Sequence, residues 1–560
     1  MKQNSFLVIL VLSLMALVSC EKSEHEIKPD KPQAEAIEEY KMMKLGEKLK
    51  NPYTVKNMKK AKKNLQSSGI DSDLEITTTH LYIRFIPKTQ KDLDTLKADT
   101  SLFLFDHPLD YEIEEEGHYY HDPAIPEYEP TYMYTAVEVD YNLPPVAYEI
   151  LAELFLPEET EQDTMQIKST GSVQDYFFQL EDGALRITDN LEEKTTTGNQ
   201  SKSTKGLFKK KKRPKGTIEV WDTEINRYEP VKQVFVRTRR WFKFGKDYTN
   251  AKGYYRINQK YRRNPKYKVV FKAKKWKIWK NRLWWGAARY NMGRHSKKGY
   301  DKRFARNSWA WSLATVNNAV YDYRYTHCNT YDINKPPRNL RVWVFNTNNV
   351  NTAKGSAAML KRTWGFYGWH PKKGLNTLLN YMCGLNLGTT LVGNLVKFVS
   401  PDITISTPKR KSNKNTLAIY ETTCHELSHA SHWTKAGNRY WVKYINHIIT
   451  YKGYGSGSGN NAGYCGVGEM WGNYFGAVCA NDKYSSYSWS SDFHAKEDWY
   501  NPGFLRNCVK NINDLSTNEV FDCLTKNTNT IDKMVNQIKR RTKHDKKVDN
   551  QYNSIDTDWP

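Results

Sequence analysis

Between Thr416 and Trp433 the chain reads Thr-Leu-Ala-Ile-Tyr-Glu-Thr-Thr-Cys-His-Glu-Leu-Ser-His-Ala-Ser-His-Trp, eighteen residues without proline or glycine. Such a stretch can be one helix. On a helix His425 and His429 lie one turn apart on a shared face. Two imidazoles so placed can fill two corners of a tetrahedral zinc site. Glu426 follows His425 directly but is turned round the helix. Its carboxylate can therefore reach a water on the metal rather than the metal, and take that water's proton. The chemistry implied is hydrolysis by a hydroxide-like nucleophile.

A catalytic zinc needs a third protein ligand and an open fourth position. His432 is three residues beyond His429, but on the same helix it would reach past the metal. Glu469 is forty residues beyond His429, in Tyr464-Cys-Gly-Val-Gly-Glu-Met-Trp-Gly-Asn-Tyr-Phe-Gly-Ala-Val478. This segment reads as a second helix with Glu469 in its first turn. The other role for Glu469 is that of an acid favoured by a helix N-terminus.

The pattern His425-Glu426-Leu-Ser-His429 resembles the His-Glu-x-x-His motif of zinc metallopeptidases. Together with Glu469 and the Tyr474-Phe475 that follow it, the segment is similar to the gluzincin clan. That resemblance implies Zn²⁺ held by His425, His429 and Glu469, with Glu426 as general base. It also implies a protein or peptide substrate and a zincin-like α+β catalytic domain over residues 282–560. It covers only the stretch from Thr416 to Val478. A metzincin pattern is not met, because His432 stands where that family has glycine. Zincins steady an oxyanion with a Tyr or His, and Tyr454, Tyr464 and His494 are candidates. The Gly/Ser loop at 455–460 can be a rim of the cleft or a simple connection.

Other elements must position this site. Pro401 to Thr407 reads as an edge strand, with proline where no ladder N–H is needed. In zincin folds such an edge holds an extended peptide. Trp309 to Tyr325 reads as a helix, Asn339 to Phe345 as a strand, and Leu375 to Leu387 and Tyr440 to Thr450 as helices. Helices over Val509–Leu515, Asn518–Leu524 and Ile531–Arg541 form a C-terminal extension. Cys424 could bridge to Cys465, and Cys508 to Cys523, or all four could be buried thiols. Besides Cys20 there are seven cysteines, an odd number, so at least one stays outside any internal bridge. None lies in a Cys-x-x-Cys pair, which argues against a cysteine-only zinc site.

Before the catalytic segment, short alternating strands at 216–222, 230–237, 250–257 and 267–271 predict a small β-sandwich over 216–281. Its Pro-Val-x-x-Val-x-Val and Gly-Tyr-Tyr segments resemble the prealbumin-like domain that accompanies secreted peptidases. Residues 190–215 read as a linker. Residues 76–189 read as an acidic N-terminal α/β or β-rich module, with strands near 80–87 and 132–141 and a short helix at 91–97. The segment 148–155 reads as either helix or strand. The fold class expected is thus multidomain α+β.

Charge is unevenly spread. Ser101 to Ile167 holds seventeen acids and no Lys or Arg, whereas Lys205 to Tyr300 holds thirty-one Lys or Arg and five acids, within a net +24. The basic block could bind an anionic polymer or surface, or receive the acidic segment of its own chain. No nucleic-acid signature accompanies it. At the N-terminus, Lys2 precedes an apolar run from Phe6 to Val18 that ends Leu17-Val18-Ser19-Cys20. This resembles a bacterial lipobox after a signal peptide of residues 1–19, and implies lipidation of Cys20 and an outer-membrane lipoprotein on the periplasmic or cell-surface side. Residues 20–75 then read as a charged tether. A competing expectation is a cell-surface binding or adhesion lipoprotein whose zincin-like module is not catalytic.

Overall fold

The computed structural model describes residues 40–126, 129–156, 173–191, 211–280, 286–363, 401–489 and 499–555. The signal peptide, Cys20, the helix expected over 375–387 and His494 lie outside them. The described residues form a mixed α+β chain built from several small sheets. None of their helices is long and apolar enough to cross a membrane.

The first module begins inside the segment expected to be a tether. Strand β1 (Lys44–Lys48) and helix α1 (Val55–Ser67) are folded parts of it. Met43, Tyr53, Met58 and Ala61 are buried. The lysines of α1 crowd one face while Met58, Ala61 and Leu65, at helical spacing, turn to the core. Thr54 caps the helix by accepting from Asn57 N. Strand β2 (His80–Phe85) comes next, then helix α2 (Gln90–Ala98), started by a reciprocal Thr89/Asp92 capping box. β3 (Tyr111–Glu115) pairs antiparallel with β1. β4 (Met133–Glu138) and β5 (Tyr148–Leu154) flank β2, so 148–155 resolves as strand. Helix α3 (Val173–Ile187) packs on α1, where Gly183 meets Ala61.

The next module holds two sheets. β6 (Lys215–Asp222) buries every second residue. It is followed by β7 (Arg227–Pro230), β8 (Phe235–Arg240), β9 (Lys243–Tyr248), β10 (Tyr254–Arg256) and β11 (Lys266–Val270). The expected boundary at 281 does not hold. β12 (Trp276–Lys280) leaves the sandwich, and β13 (Arg289–Arg294) and β14 (Lys302–Phe304) return to it. One sheet runs β10-β6-β14 with β7 on β6, the other β13-β11-β8-β9. β14 joins β6 in parallel, a long-range pairing that strand spacing alone could not indicate.

The sheet beneath the site runs β12-β15-β17-β16, formed with β15 (Leu340–Thr347), β16 (Lys354–Ser356) and β17 (Ile403–Pro408). β12, β15 and β17 are parallel, and β16 is antiparallel to β17. The strand at 401–407 is therefore not the edge: β17 is buried throughout and paired on both sides. Pro401 lies before the first ladder residue and interrupts nothing. Among the described residues the edge beside the site is β16. Helix α4 (Trp311–Asp322) is almost wholly buried. Two long helices follow, α5 (Thr416–Tyr451) and α6 (Ala462–Lys483). Helices α7 (Gly503–Asn511), α8 (Thr517–Cys523), α9 (Ile531–Thr542) and α10 (Asp545–Asn553) form the C-terminal extension.

The acidic front segment docks on the basic middle of the same chain. Asp106 meets Arg289 at 2.8 Å and Glu116 meets Lys266 at 3.0 Å. Beyond those two stretches, Glu181 and Asp182 of α3 pair with Lys243 and Arg263, and Asp94 pairs with Arg341. Asp106 is 1 % exposed and also takes hydrogen bonds from His107 Nδ1 and Tyr120 N. Burial alone would raise its pKa, but Arg289, with His107 behind it, holds the carboxyl well below its usual range. Its folded pKa thus lies below the unfolded one. Its contribution to stability is present above about pH 4 and fades as pH falls below that. Asp106→Asn should cost about 3–5 kcal/mol by leaving Arg289 buried and unpaired. Denaturant unfolding at neutral pH checks this, and the variant should lose part of the parent's acid sensitivity.

Candidate metal centre

α5 starts at a side-chain cap, Asn415 accepting from Ala418 N. It is not one straight helix. Gly437 takes φ 78°, a left-handed value open to glycine, and the axis breaks there. The first half carries His425, Glu426 and His429. The second half turns back so that Trp441 and Tyr444 face His429, with ring centroids 5.8 and 5.6 Å away.

His425, Glu426 and His429 form a group that can hold a metal ion, with one donor atom from each within 4.8 Å of the others. Glu469 enters from α6. Its Oε2 lies 3.3 Å from His425 Nε2 and its Oε1 3.5 Å from His429 Nε2. The two Nε2 atoms are 3.0 Å apart. Ligands about 2.0–2.1 Å from a tetrahedral metal are separated by about 3.3 Å along each edge. The three measured separations bracket that value, so the donors fit one small cation. Glu426 Oε1 is farther out, 4.0 Å from His425 Nε2. The buried Oε2 of Glu426 has no hydrogen-bond partner among the described residues. His429 Nδ1 is likewise buried without one.

The electrostatics reflect this crowding. Burial would lower the His425 imidazolium, but its hydrogen bond to Glu469 and the charge of Glu426 raise it to about 9. Burial pushes Glu426 up to about 8, with His425 pulling down and Glu469 pushing up. Burial opposes ionisation of Glu469, yet His429 and His425 hold its carboxyl far below the ordinary range. Burial lowers His429. Tyr444 donates a hydrogen bond to Glu469 Oε1 and fixes that carboxylate.

Three close approaches make the arrangement possible. Glycines recur every fourth residue on α6, at 468, 472 and 476. A Cβ at Gly472 would lie 2.7 Å from His429 Cε1 and 3.0 Å from His425 Cε1. One at Gly476 would press on the His425 backbone. On the other side, a Cβ at Gly355 of β16 would lie 2.5 Å from Glu426 Oε1. The edge strand thus runs against the carboxylate. A cleft of about 370 Å³ opens here, walled by Gly355, Glu421, His425, Glu426, Tyr454 and Asn473. Glu421 accepts from Tyr487 Oη at 2.8 Å.

The other expected residues fall as follows. Glu469 is on the second helix, but it is that helix's eighth residue rather than part of its first turn, because α6 begins at Ala462. A helix-dipole role is therefore excluded for it. His432 does not join the cluster. It is buried against Tyr440 and Trp441, with both ring nitrogens unpartnered, and burial lowers it to about 3. Tyr454 lines the cleft. Tyr464 instead takes hydrogen bonds from Lys443 and Asn529. Cys424, Cys465, Cys508 and Cys523 are all buried and none is in a disulfide, so they are buried thiols, the second of the two alternatives. Sequence reasoning missed Tyr444, Asn473 and Gly355. The four-residue glycine repeat was a readable sign of close helix packing; Tyr444 comes from beyond the kink and had no local signal. No family model, curated protein or solved structure matches the chain.

Tyr444→Phe should keep the fold and weaken divalent-metal affinity by about 10–100-fold, measured by competition with a chelator. Gly472→Ala should abolish metal uptake while circular dichroism stays close to the parent's.

Proposed function

We propose that this protein is a zinc-dependent hydrolase of amide bonds, a peptidase of gluzincin type. The observation that carries the reading is the meeting of Glu469 with His425 and His429 at separations matching a tetrahedral zinc site, with Glu426 beside them but set back. His425, His429 and Glu469 would hold the zinc. When bound, zinc polarises a carbonyl and acidifies a water towards neutrality.

The chain's own residues supply the rest. Glu426 takes the water's proton and later delivers it to the departing amine. Tyr444 keeps Glu469 oriented. β16, with Gly355 against Glu426, gives an extended peptide a sheet edge on which to align. Lys354, Tyr454 and Asn473 in the cleft wall are the candidates to meet the carbonyl oxygen as it gains charge. The two-sheet module between residues 215 and 304 is read as a prealbumin-like support. The N-terminal sequence supports export and anchoring to the outer membrane through a lipid on Cys20.

The test is hydrolysis of a peptide library by the zinc-loaded protein. Glu426→Gln should retain zinc and lose about 10²–10⁴-fold in rate. A zinc-loaded parent that cleaves no peptide, or a Glu426→Gln variant as active as the parent, would contradict the reading and leave a surface-binding role.

A further inference from the structure

Around a cavity that shares no wall residue with the metal-site cleft, one sheet face carries a square of cations. β8 and β11 pair so that Lys268 lies opposite Arg237 and Lys266 opposite Arg239. Residues two apart on a strand share a face, so all four side chains rise from the same side. Like charges directly opposite each other destabilise a sheet. Here the face is also covered, by Met43, Phe105 and Ile113 of the N-terminal module.

Local partners answer only part of this charge. Lys266 pairs with Glu116. Asp106 is taken by Arg289 and His107. Arg237 Nη1 donates to Leu104 O and Arg239 Nη1 to Leu109 O, neutral acceptors, and the acids that act on them, Asp106 on Arg237 and Glu116 and Asp110 on Arg239, do so from beyond ion-pair distance. Arg237 Nη2 is buried with no partner. Among the described residues, Lys268 has no hydrogen-bond or ion-pair partner. Both guanidiniums lie over the Phe105 ring, at 4.3 and 5.4 Å, which orients them but adds no counter-charge. An unpaired buried charge is costly, and here Arg237, Arg239, Lys266, Lys268 and Arg289 face only Asp106, Asp110 and Glu116, an excess of positive charge that suits an anion.

We propose that Arg237, Arg239, Lys266 and Lys268 bind an oxyanion, a phosphate or sulfate group, in the seam between the N-terminal module and the β-sandwich. A cavity of about 30 Å³ lies among them, the scale of one small group and not of a polymer. It shares Ile113, Arg239 and Lys266 with a second cavity of about 370 Å³ that also meets Arg240, Arg294 and Trp241. That space receives the group's outer oxygens, or the molecule that carries the group. Two guanidinium forks match the geometry of such an anion. The lysine is consistent with the same site: burial, together with Arg289, Arg237 and Arg239, outweighs the attraction of Asp106 and brings Lys268 down to about 7, a strain that an anion relieves.

The experiment is thermal unfolding of the full chain in sulfate against chloride at equal ionic strength. Sulfate stabilises most proteins by exclusion, so the readout is the difference between parent and variants. The parent should gain several degrees in sulfate. Lys268→Met, which removes an unpaired charge, should melt higher than the parent in chloride and lose most of the sulfate gain. Arg237→Gln should lose the gain as well, and Lys547→Ala, on an exposed helix face, should keep it. Calorimetric titration with inorganic phosphate and glucose 6-phosphate separates the sources. Tighter binding of the sugar phosphate means a carried group, and equal binding means the free ion. A sulfate gain that is the same in Lys268→Met as in the parent, or absent from the parent, overturns the proposal.

Discussion

A carboxylate on one helix can meet two imidazoles on another only if the helix backbones come unusually close. That constraint shapes the half of the molecule that carries the candidate metal centre. Gly468, Gly472 and Gly476 give α6 a bare stripe where α5 lies against it. Each glycine costs about 1 kcal/mol relative to alanine within a helix. The loss is offset on the other faces of α6, where Trp471, Tyr474 and Phe475 are buried. Trp471 also donates to Ser428 O, tying α6 to the turn of α5 that carries the histidines.

The second constraint is charge. Glu469 is fully buried, and an ionised carboxylate there is tolerable only among partners. His425, His429 and Tyr444 supply them, and a cation would complete the balance. Tyr444 reaches the carboxylate because α5 breaks at Gly437 and doubles back. Without the kink, the continuing helix would carry Tyr444 away from the site. On the opposite side, β16 closes the arrangement by bringing backbone, not side chain, against Glu426.

Local periodicity made part of this legible in advance. His425 and His429 stand one turn apart whatever surrounds them, and the strands at β2, β6 and β15 alternate or run apolar in the expected way. α6 starts earlier than expected because Gly463, read as the end of a Gly/Ser loop, is already helical, as are the glycines after it. Packing overrides their poor helix propensity, so Glu469 fell deeper in its helix than expected. The folded nature of residues 40–75 was masked by lysines that cover one face of α1. The departure of β12 to another sheet and the return of β13 and β14 depend on pairings between distant segments, which spacing does not encode. The same holds for β17, whose neighbour β16 is too short to stand out as a strand. The charge asymmetry was visible, but only the folded chain pairs Asp106 with Arg289 and Glu116 with Lys266.

The central claim is that His425, His429 and Glu469 together hold one zinc. Elemental analysis of the purified protein, with Glu469→Ala and His432→Ala alongside, tests it most directly. The account predicts about one zinc per chain in the parent and in His432→Ala, and its loss from Glu469→Ala. Zinc retained by Glu469→Ala, or absent from the parent even after it is added back, would contradict the account.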